Sequence, residues 1–156
     1  MQIRYLDIEI CGLSCQLSPM HHTGAESRCS GCKSPTRMVV GCPFITCTVK
    51  RKGVEFCFEC IESDTCEKWR NHREAGRARD SFKCYQTLEA DLSYISRHGV
   101  PAFQKIQEQR ELLLREMLRD FNEGHSKTYY CIAATVLEPE ELQGALFRAR
   151  RESGGA

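Results

Sequence analysis

The sequence lacks the long apolar runs of a membrane protein and the signatures of common enzyme classes. No apolar run approaches the roughly 20 residues that a bilayer-spanning helix needs, so we expect no membrane association. There is no Gly-x-Ser-x-Gly elbow, no phosphate-binding glycine-rich loop and no His-Glu-x-x-His motif. These absences favour a non-enzymatic protein, although they leave an enzymatic role open.

The chain also lacks a secretory signal and a strong net charge. Its start, MQIRYLDIEICG, has no basic region followed by an apolar core, so we expect a cytoplasmic protein. The net charge of +1 provides no overall field for a polyanionic partner. Residues 67–83 are locally basic, with Arg70, Arg73 and Arg77 on one helical face, but a solvated surface explains them best. Nucleic acid is therefore not favoured as a partner, whereas a protein partner is possible.

Large aliphatic residues are sparse in the first half of the chain, and cysteines are abundant there. Nine of the eleven cysteines lie between positions 11 and 66. A segment with so little apolar material needs cross-links to fold. Disulfides are rare in the cytoplasm, and eleven cysteines would leave at least one thiol unpaired. Metal binding is therefore a better explanation than a disulfide framework.

The nine cysteines form four pairs and one single residue, and all nine are candidate metal ligands. They are Cys11 and Cys15, Cys29 and Cys32, Cys42 and Cys47, Cys57 and Cys60, and Cys66. Spacers of two to four residues let both thiolates of a pair bind one ion from a single turn. Gly31 can adopt the positive φ that such a turn requires, and Lys33 could offset thiolate charge. Four pairs suffice for up to two four-coordinate zinc ions.

The spacing leaves the assignment of ligands and metal open. The first two pairs could share one ion and the last two the other, or the pairs could cross. Cys66, predicted at a helix N-terminus, could replace a member of the second set or be a free reactive thiol. His21 and His22 are weaker candidates, because adjacent loop histidines are more often solvated. An iron–sulfur cluster for electron transfer or sensing uses the same ligands, and thiol or sulfur-transfer chemistry is a third possibility.

The remaining sequence predicts a short strand followed by helices. Loose alternation over residues 2–10 indicates the strand. Helices are predicted from about 67 to 82, from Tyr85 to Arg97, from Val100 to about Phe121, and from Pro139 onwards. In the helix from Val100 to about Phe121, three acidic residues lie mostly off the apolar stripe and are expected to face solvent, namely Glu108, Glu111 and Glu116. The apolar run 128–137 fits a buried strand or a buried helix, with Cys131 as a buried thiol.

Several motifs together resemble a cysteine-rich prokaryotic family known as domain of unknown function 3795. They are CGLSC, CSGCK, KRKGVEFCFEC and TCEKW, with FNEGHSKTYYCIAATVL near the end. The resemblance implies metal binding in a bacterial or archaeal cytoplasm, without a known reaction. Two positions depart from the family pattern, since Ser18 and Val39 stand where cysteines are expected. If both serve one family site, that site is altered or missing here.

The sequence as a whole predicts a small α-rich protein. A loop-dominated, zinc-knuckle-like module over residues 1–66 is expected to pack on a helical part over residues 67–156, as one compact unit. The predicted function is zinc binding through thiolate sites, for structure and for binding a partner.

Overall fold

The computed structural model of the protein describes residues 2–40 and 42–154, with the backbone alone at 81 and 82. Its helices are α1 (Pro35–Val40), α2 (Pro43–Ile45), α3 (Glu67–Ala78), α4 (Leu88–His98), α5 (Val100–Phe121), α6 (Lys127–Val136) and α7 (Pro139–Ser153). A π-helical turn, Thr46–Lys52, continues α2, and 3₁₀ turns cover Cys15–Leu17, Cys57–Glu59, Ser63–Thr65 and Asp80–Gln86. The described residues therefore form an α-rich fold, as predicted. Met1, Gly41, Gly155 and Ala156, which the predicted boundaries include, lie outside the described residues.

Helix α5 is the central element of the helical part. It packs against α4, α6 and α7, and also against the 3₁₀ turn Cys15–Leu17 of the cysteine-rich segment. None of the helices in the described ranges combines the length and apolarity needed to cross a bilayer.

Two apolar clusters form the core. The first joins Ile8, Ile10, Phe44, Ile45 and Phe56 of the cysteine-rich segment to Trp69, Leu88, Leu92, Ile95, Val100 and Phe103. The second joins Leu17 to Leu113, Leu114, Met117, Cys131, Ala134, Leu142 and Leu146. Both clusters thus include side chains from each half of the chain, and Cys131 is the buried thiol that the sequence predicted.

The helix boundaries in the second half follow local signals. Gly99 has a φ of 82° and separates α4 from α5, and Pro101 lies in the first turn of α5. At the start of α7, the Glu138 amide donates a 2.8 Å hydrogen bond to the Glu141 carboxylate. Residues 127–136, which the sequence left open, form a helix.

The strand predicted over residues 2–10 is wrong. The described residues contain one isolated bridge there, between Ile8 and Ser14, and no strand. The amides of Arg4 and Tyr5 donate to the Glu55 carboxylate, at 3.2 and 2.9 Å. No described strand pairs with this segment, so no ladder forms.

Two charged residues of α5 are buried, and one of them contradicts the sequence analysis. Glu111 was expected to face solvent with Glu108 and Glu116, but its side chain is buried and bonds to Arg115 at 2.7 Å. Arg110 is also buried and donates to backbone carbonyl oxygens at the end of α6. A buried guanidinium with several donors satisfies helix-terminal carbonyls that apolar side chains cannot.

A buried ion pair links three distant stretches of the cysteine-rich segment. Lys33 Nζ lies 3.0 Å from Glu55 Oε1 and 3.0 Å from the Tyr5 carbonyl oxygen, and both charged side chains are inaccessible to solvent or nearly so. The ammonium also lies 4.1 Å from the centre of the Phe56 ring. Lys33 therefore neutralises Glu55. The sequence analysis had suggested instead that Lys33 offsets the charge of the thiolates.

We expect Lys33→Met to lower the free energy of unfolding by about 3 kcal/mol, because it leaves the Glu55 carboxylate buried without its cation. The double variant Lys33→Met/Glu55→Gln should recover part of the loss, since glutamine removes the unpaired charge. Chemical denaturation measures both. The matched control is Lys52→Met, which removes a surface ion pair with Glu62 and should change stability little. Equal losses in Lys33→Met and Lys52→Met would contradict the assigned role of the buried pair.

Candidate metal centre

All eleven cysteines are free thiols, and nine of them lie in the segment that the sequence singled out. Their side chains interact in two groups. The inner thiol group contains Cys11, Cys15 and Cys32, which surround the Glu9 carboxylate. The outer thiol group contains Cys57 and the four thiols whose charges act on it, those of Cys42, Cys47, Cys60 and Cys66. Cys29, the ninth candidate, is half-buried, and its amide donates to the Met20 carbonyl oxygen at 3.0 Å.

A tight backbone loop forms the first part of the inner group. The Glu9 amide donates to the Leu13 carbonyl oxygen at 2.7 Å, and the Cys15 amide donates to the Asp7 carbonyl oxygen at 2.8 Å. Gly12 turns the chain with a φ of 95°, a conformation that favours glycine. The loop therefore holds Glu9 and the thiols on either side of Gly12 close together.

The Glu9 carboxylate contacts the inner thiols directly. Its Oε2 lies 3.6 Å from Cys11 Sγ, and its Oε1 lies 3.7 Å from Cys15 Sγ. Cys32 also interacts with this carboxylate and with the Cys15 sulfur. Burial raises the pKa of Glu9, and it raises the pKa of the Cys11 thiol well above its usual value. The hydrogen bond with Cys15 is the main cause that raises the pKa of Cys32.

Gly31 brings the Cys29–Cys32 turn against the inner group. It has a φ of 101°, so the positive φ that the sequence suggested is present. A Cβ atom at this position would lie 3.1 Å from the Leu6 carbonyl oxygen and 3.5 Å from Cys15 Sγ. The missing side chain thus permits the close approach of the turn that carries Cys32.

Four thiols of the outer group line one cavity of about 390 Å³. They are those of Cys47, Cys57, Cys60 and Cys66. Burial raises the pKa of Cys57 to about 12, and the neighbouring charges of Cys66, Cys47, Cys60 and Cys42 add to the shift in that order. Cys42 instead lines a neighbouring cavity of about 570 Å³ together with Cys11 and Cys32. Cys66 is therefore grouped with Cys47, Cys57 and Cys60 more closely than Cys42 is.

Local structure positions the outer thiols. Cys57 begins a 3₁₀ turn, which the Glu59 carboxylate stabilises by accepting the amides of Glu55 and Phe56 at 2.8 and 2.9 Å. Cys66 immediately precedes α3, the position at a helix N-terminus that the sequence predicted. The hydrogen bond with Glu62 is the main cause that raises the pKa of Lys52, and the charges of Cys60 and Cys47 add to the shift.

The histidines bond elsewhere. His22 Nε2 lies 2.6 Å from the Gln16 carbonyl oxygen, and His21 Nε2 lies 3.1 Å from the Arg28 guanidinium. Sequence reasoning missed two other residues, Glu9 and Cys84. Both line the larger cavity, and the Glu9 charge contributes to the raised pKa of Cys84. Cys84 lies 18 positions beyond Cys66 without a paired cysteine, so no spacing pattern could reveal it.

The thiol groups offer suitable donors but not a finished coordination shell. Within residues 2–40 and 42–154, no three Cys, His, Asp or Glu side chains are already arranged so that they could hold a metal ion. The donor chemistry nevertheless fits zinc, which binds thiolate and carboxylate ligands in a tetrahedron. Binding would require the thiols to lose their protons and to rotate towards a common point.

Asp91 lies behind the loop that carries Cys11 and Cys15. A Cβ atom on Gly12 would lie 3.4 Å from the Asp91 Cβ, and Thr87 Oγ1 donates a 2.8 Å hydrogen bond to Asp91 Oδ2. Burial raises the pKa of Asp91 from 3.8 to about 6, although the Thr87 hydrogen bond opposes the shift. Since the raised pKa favours the neutral acid, the folded state loses stability as pH rises from about 4 to about 6.

We expect Asp91→Asn to remove this loss and to raise the free energy of unfolding at pH 8 by about 3 kcal/mol. At pH 4 the variant and the wild type should have similar stability, because both side chains are then neutral. Denaturation at a series of pH values measures the difference between the two proteins. Thr87→Val should move the midpoint of the wild-type transition above pH 6, since it removes the opposing hydrogen bond. Parallel pH profiles of wild type and Asp91→Asn would refute this account.

Comparisons of the chain with known protein families, with curated proteins and with solved structures give no match. The resemblance to domain of unknown function 3795 therefore stays a prediction. Any functional assignment must depend on the geometry and chemistry of the chain's own residues.

Proposed function

We propose that this is a metal-binding protein, in which zinc ions held by cysteine thiolates fasten the cysteine-rich segment together. The observation that carries the proposal is that Cys47, Cys57, Cys60 and Cys66 line one cavity. Cys47 lies in the π-helical turn, Cys57 begins the 57–59 turn, Cys60 directly follows that turn, and Cys66 directly precedes α3. Four thiols drawn from separate elements are the donor set of a closed zinc site.

The charges around the outer thiol group support this assignment. A zinc ion with four thiolates carries a net charge of −2, which is costly to hold without nearby cations. Lys68 lines the same cavity and would lower the cost of the dianionic site. Arg73, which also lines the cavity, is ion-paired with Glu89, and Lys52 is ion-paired with Glu62.

The inner thiol group supports a second ion. Cys11, Cys15 and Cys32 interact through a buried carboxylate, at the point where the N-terminal loop meets the Cys29–Cys32 turn. Metal binding here would join two stretches that share few apolar side chains. Because the free energy of binding structural zinc is about 10–16 kcal/mol in small zinc domains, such sites can replace a larger core.

Thiol chemistry is less well supported than metal binding. A nucleophilic cysteine needs a depressed pKa. The pKa values of Cys11, Cys32 and Cys57 are instead raised, mainly by burial for Cys11 and Cys57 and by hydrogen bonding for Cys32. Without a metal these thiols would be protonated and unreactive at neutral pH. An iron–sulfur cluster uses the same ligands and is separated from zinc by the experiment below.

A protein partner remains part of the proposal. Ile61, directly after Cys60, is 96% exposed, and Val39 and Val40 of α1 are also exposed. A partner that buries these side chains would remove apolar surface from water. A cytoplasmic location and a prokaryotic origin are inferred from sequence alone.

We expect anaerobically purified protein to contain about two zinc ions per chain and to show no visible absorption band. Cys57→Ser should reduce the content by about one ion, because Cys57 belongs to the outer group. Elemental analysis and an absorption spectrum of the same sample measure both. The matched control is Cys131→Ala, which removes a buried thiol outside both groups and should keep the full metal content.

If the protein contains iron and inorganic sulfide and shows a visible absorption band, the bound group is an iron–sulfur cluster and not zinc. A folded, metal-free protein whose nine thiols from Cys11 to Cys66 can all be alkylated would overturn the proposal.

A further inference from the structure

The larger cavity, of about 570 Å³, lies where the cysteine-rich segment meets the helical half. Its volume is that of a typical small-molecule site. Ile10 and Phe44 of the first apolar cluster and Leu17 of the second all line it, so the cavity lies between the two parts of the core. One face of α6 contributes residues at helical spacing, namely Thr128, Cys131, Ile132 and Thr135.

Ser14 brings a buried hydroxyl without a partner to this lining. The residue is 5% exposed, and its Oγ forms no hydrogen bond with any of the described residues. Ser14 is the N-cap of the 3₁₀ turn Cys15–Leu17, where a serine usually accepts a backbone amide, yet its side chain makes no capping bond. The bridge with Ile8 fixes its backbone. Because an unpaired buried hydroxyl is unfavourable, it indicates a ligand group that completes the bond.

Two other polar side chains of the lining already have partners. The carboxylate of Glu9 accepts thiol hydrogen bonds from Cys11 and Cys15, at 3.6 and 3.7 Å. Thr135 Oγ1 donates a 2.8 Å hydrogen bond to a carbonyl oxygen of its own helix. Within the described part of the chain, the buried polar side-chain atom that lines this cavity and lacks a partner is therefore Ser14 Oγ.

The rest of the lining favours a ligand without charge. The thiols of Cys84 and Cys131 stay protonated at neutral pH, because burial raises their pKa values, and protonated thiols pack like small apolar side chains. Burial also lowers the pKa of His72, which favours the neutral imidazole. The lysine of the lining, Lys68, is exposed and so lies at the rim. A charged group inside would lose its hydration without gaining a counter-charge.

Three aromatic side chains make part of the lining suitable for a flat ring. Phe44 and His72 meet edge to face with their ring centres 4.5 Å apart, and His72 stacks on Tyr85 at 4.1 Å. All three residues line the cavity. An aromatic ligand gains from contacts with such rings and with neighbouring sulfur atoms.

We propose that this cavity binds an uncharged aromatic small molecule whose hydroxyl group pairs with Ser14 Oγ. The inference goes beyond metal binding, because Ser14, the three aromatic rings and α6 belong to neither thiol group. A ligand here would contact both halves of the chain and fill the space that the two apolar clusters leave between them.

The test compares 2-naphthol with naphthalene, which differ only in the hydroxyl group, by calorimetric titration of the full chain under reducing conditions. Wild type should bind both probes and 2-naphthol more tightly. Ser14→Ala should weaken 2-naphthol about three- to tenfold and leave naphthalene unchanged, because only the hydroxyl pair is lost. Ser14→Ala should also keep the melting temperature of the ligand-free protein, since it removes a hydroxyl that has no partner. The matched control is Ser34→Ala, an equally buried serine outside the lining whose Oγ accepts the Arg37 amide; both affinities should stay unchanged.

A second variant locates the binding site independently of Ser14. Thr128 is an exposed residue of α6 that lines the cavity, so Thr128→Trp should fold and occupy part of the cavity. It should weaken both probes roughly tenfold, because the added ring competes with the ligand for space. Tyr129→Trp places the same side chain one position further, outside the lining, and should leave both affinities unchanged. Circular dichroism checks the fold of each variant.

Four results would overturn the inference. Neither probe binds, which leaves a cavity that holds water alone. Ser14→Ala weakens both probes equally, which gives Ser14 a structural role. Thr128→Trp leaves both affinities unchanged, which places binding elsewhere. Finally, 2-naphthoate binds more tightly than 2-naphthol, which assigns an anionic ligand to Lys68 instead.

Discussion

The buried pair of Lys33 and Glu55 is the interaction on which the cysteine-rich half depends. It brings together the stretch around Tyr5, the turn that carries Cys32, and the start of the 57–59 turn. An ammonium and a carboxylate without solvent stabilise each other only if further hydrogen bonds satisfy them. The Tyr5 carbonyl oxygen and the amides of Arg4 and Tyr5 supply these bonds, so the pair also specifies how the three stretches align.

That alignment determines where the thiols meet. With the Cys32 turn fixed against the N-terminal loop, Gly31 approaches Cys15 closely and Cys32 joins Cys11 and Cys15 around Glu9. The outer thiols lie on the next stretches of the chain and converge around Cys57. Burial raises the pKa values of Glu9, Cys11 and Cys57 and so favours their neutral forms. A metal ion bound in either group, as the proposed function requires, would have to displace the thiol protons.

The helical half supports this arrangement rather than adding chemistry of its own. Helix α4 supplies Leu88, Leu92 and Ile95 to the cluster that also buries Ile8 and Ile10. Gln104 of α5 donates to both carboxylate oxygens of Asp7, at 3.0 and 2.8 Å. The loop that carries Cys11 and Cys15 is thus held from the side of the helices as well as by its own hydrogen bonds.

Structural features that depend on close neighbours in the chain could be predicted from the sequence. The bounds of α5, the start of α7 at Pro139, the place of Cys66 before α3 and the positive φ of Gly31 all depend on a few adjacent residues. The burial of Cys131 followed from its apolar surroundings. Metal binding by the first half stays a prediction, which is based on paired cysteines and sparse aliphatic residues, both properties of composition and spacing.

Contacts between distant residues decided the rest. Residues 2–10 form no strand, because their amides bond to Glu55 and within the loop rather than to a neighbouring strand. Residues 127–136 form a helix against α5, although their composition also suited a strand. Lys33 and Glu111 are buried by neighbours that no local pattern identifies. The grouping of Cys66 with Cys57, and the position of Glu9 among three thiols, arise only when the chain is folded, since each requires side chains far apart in sequence to share one small volume.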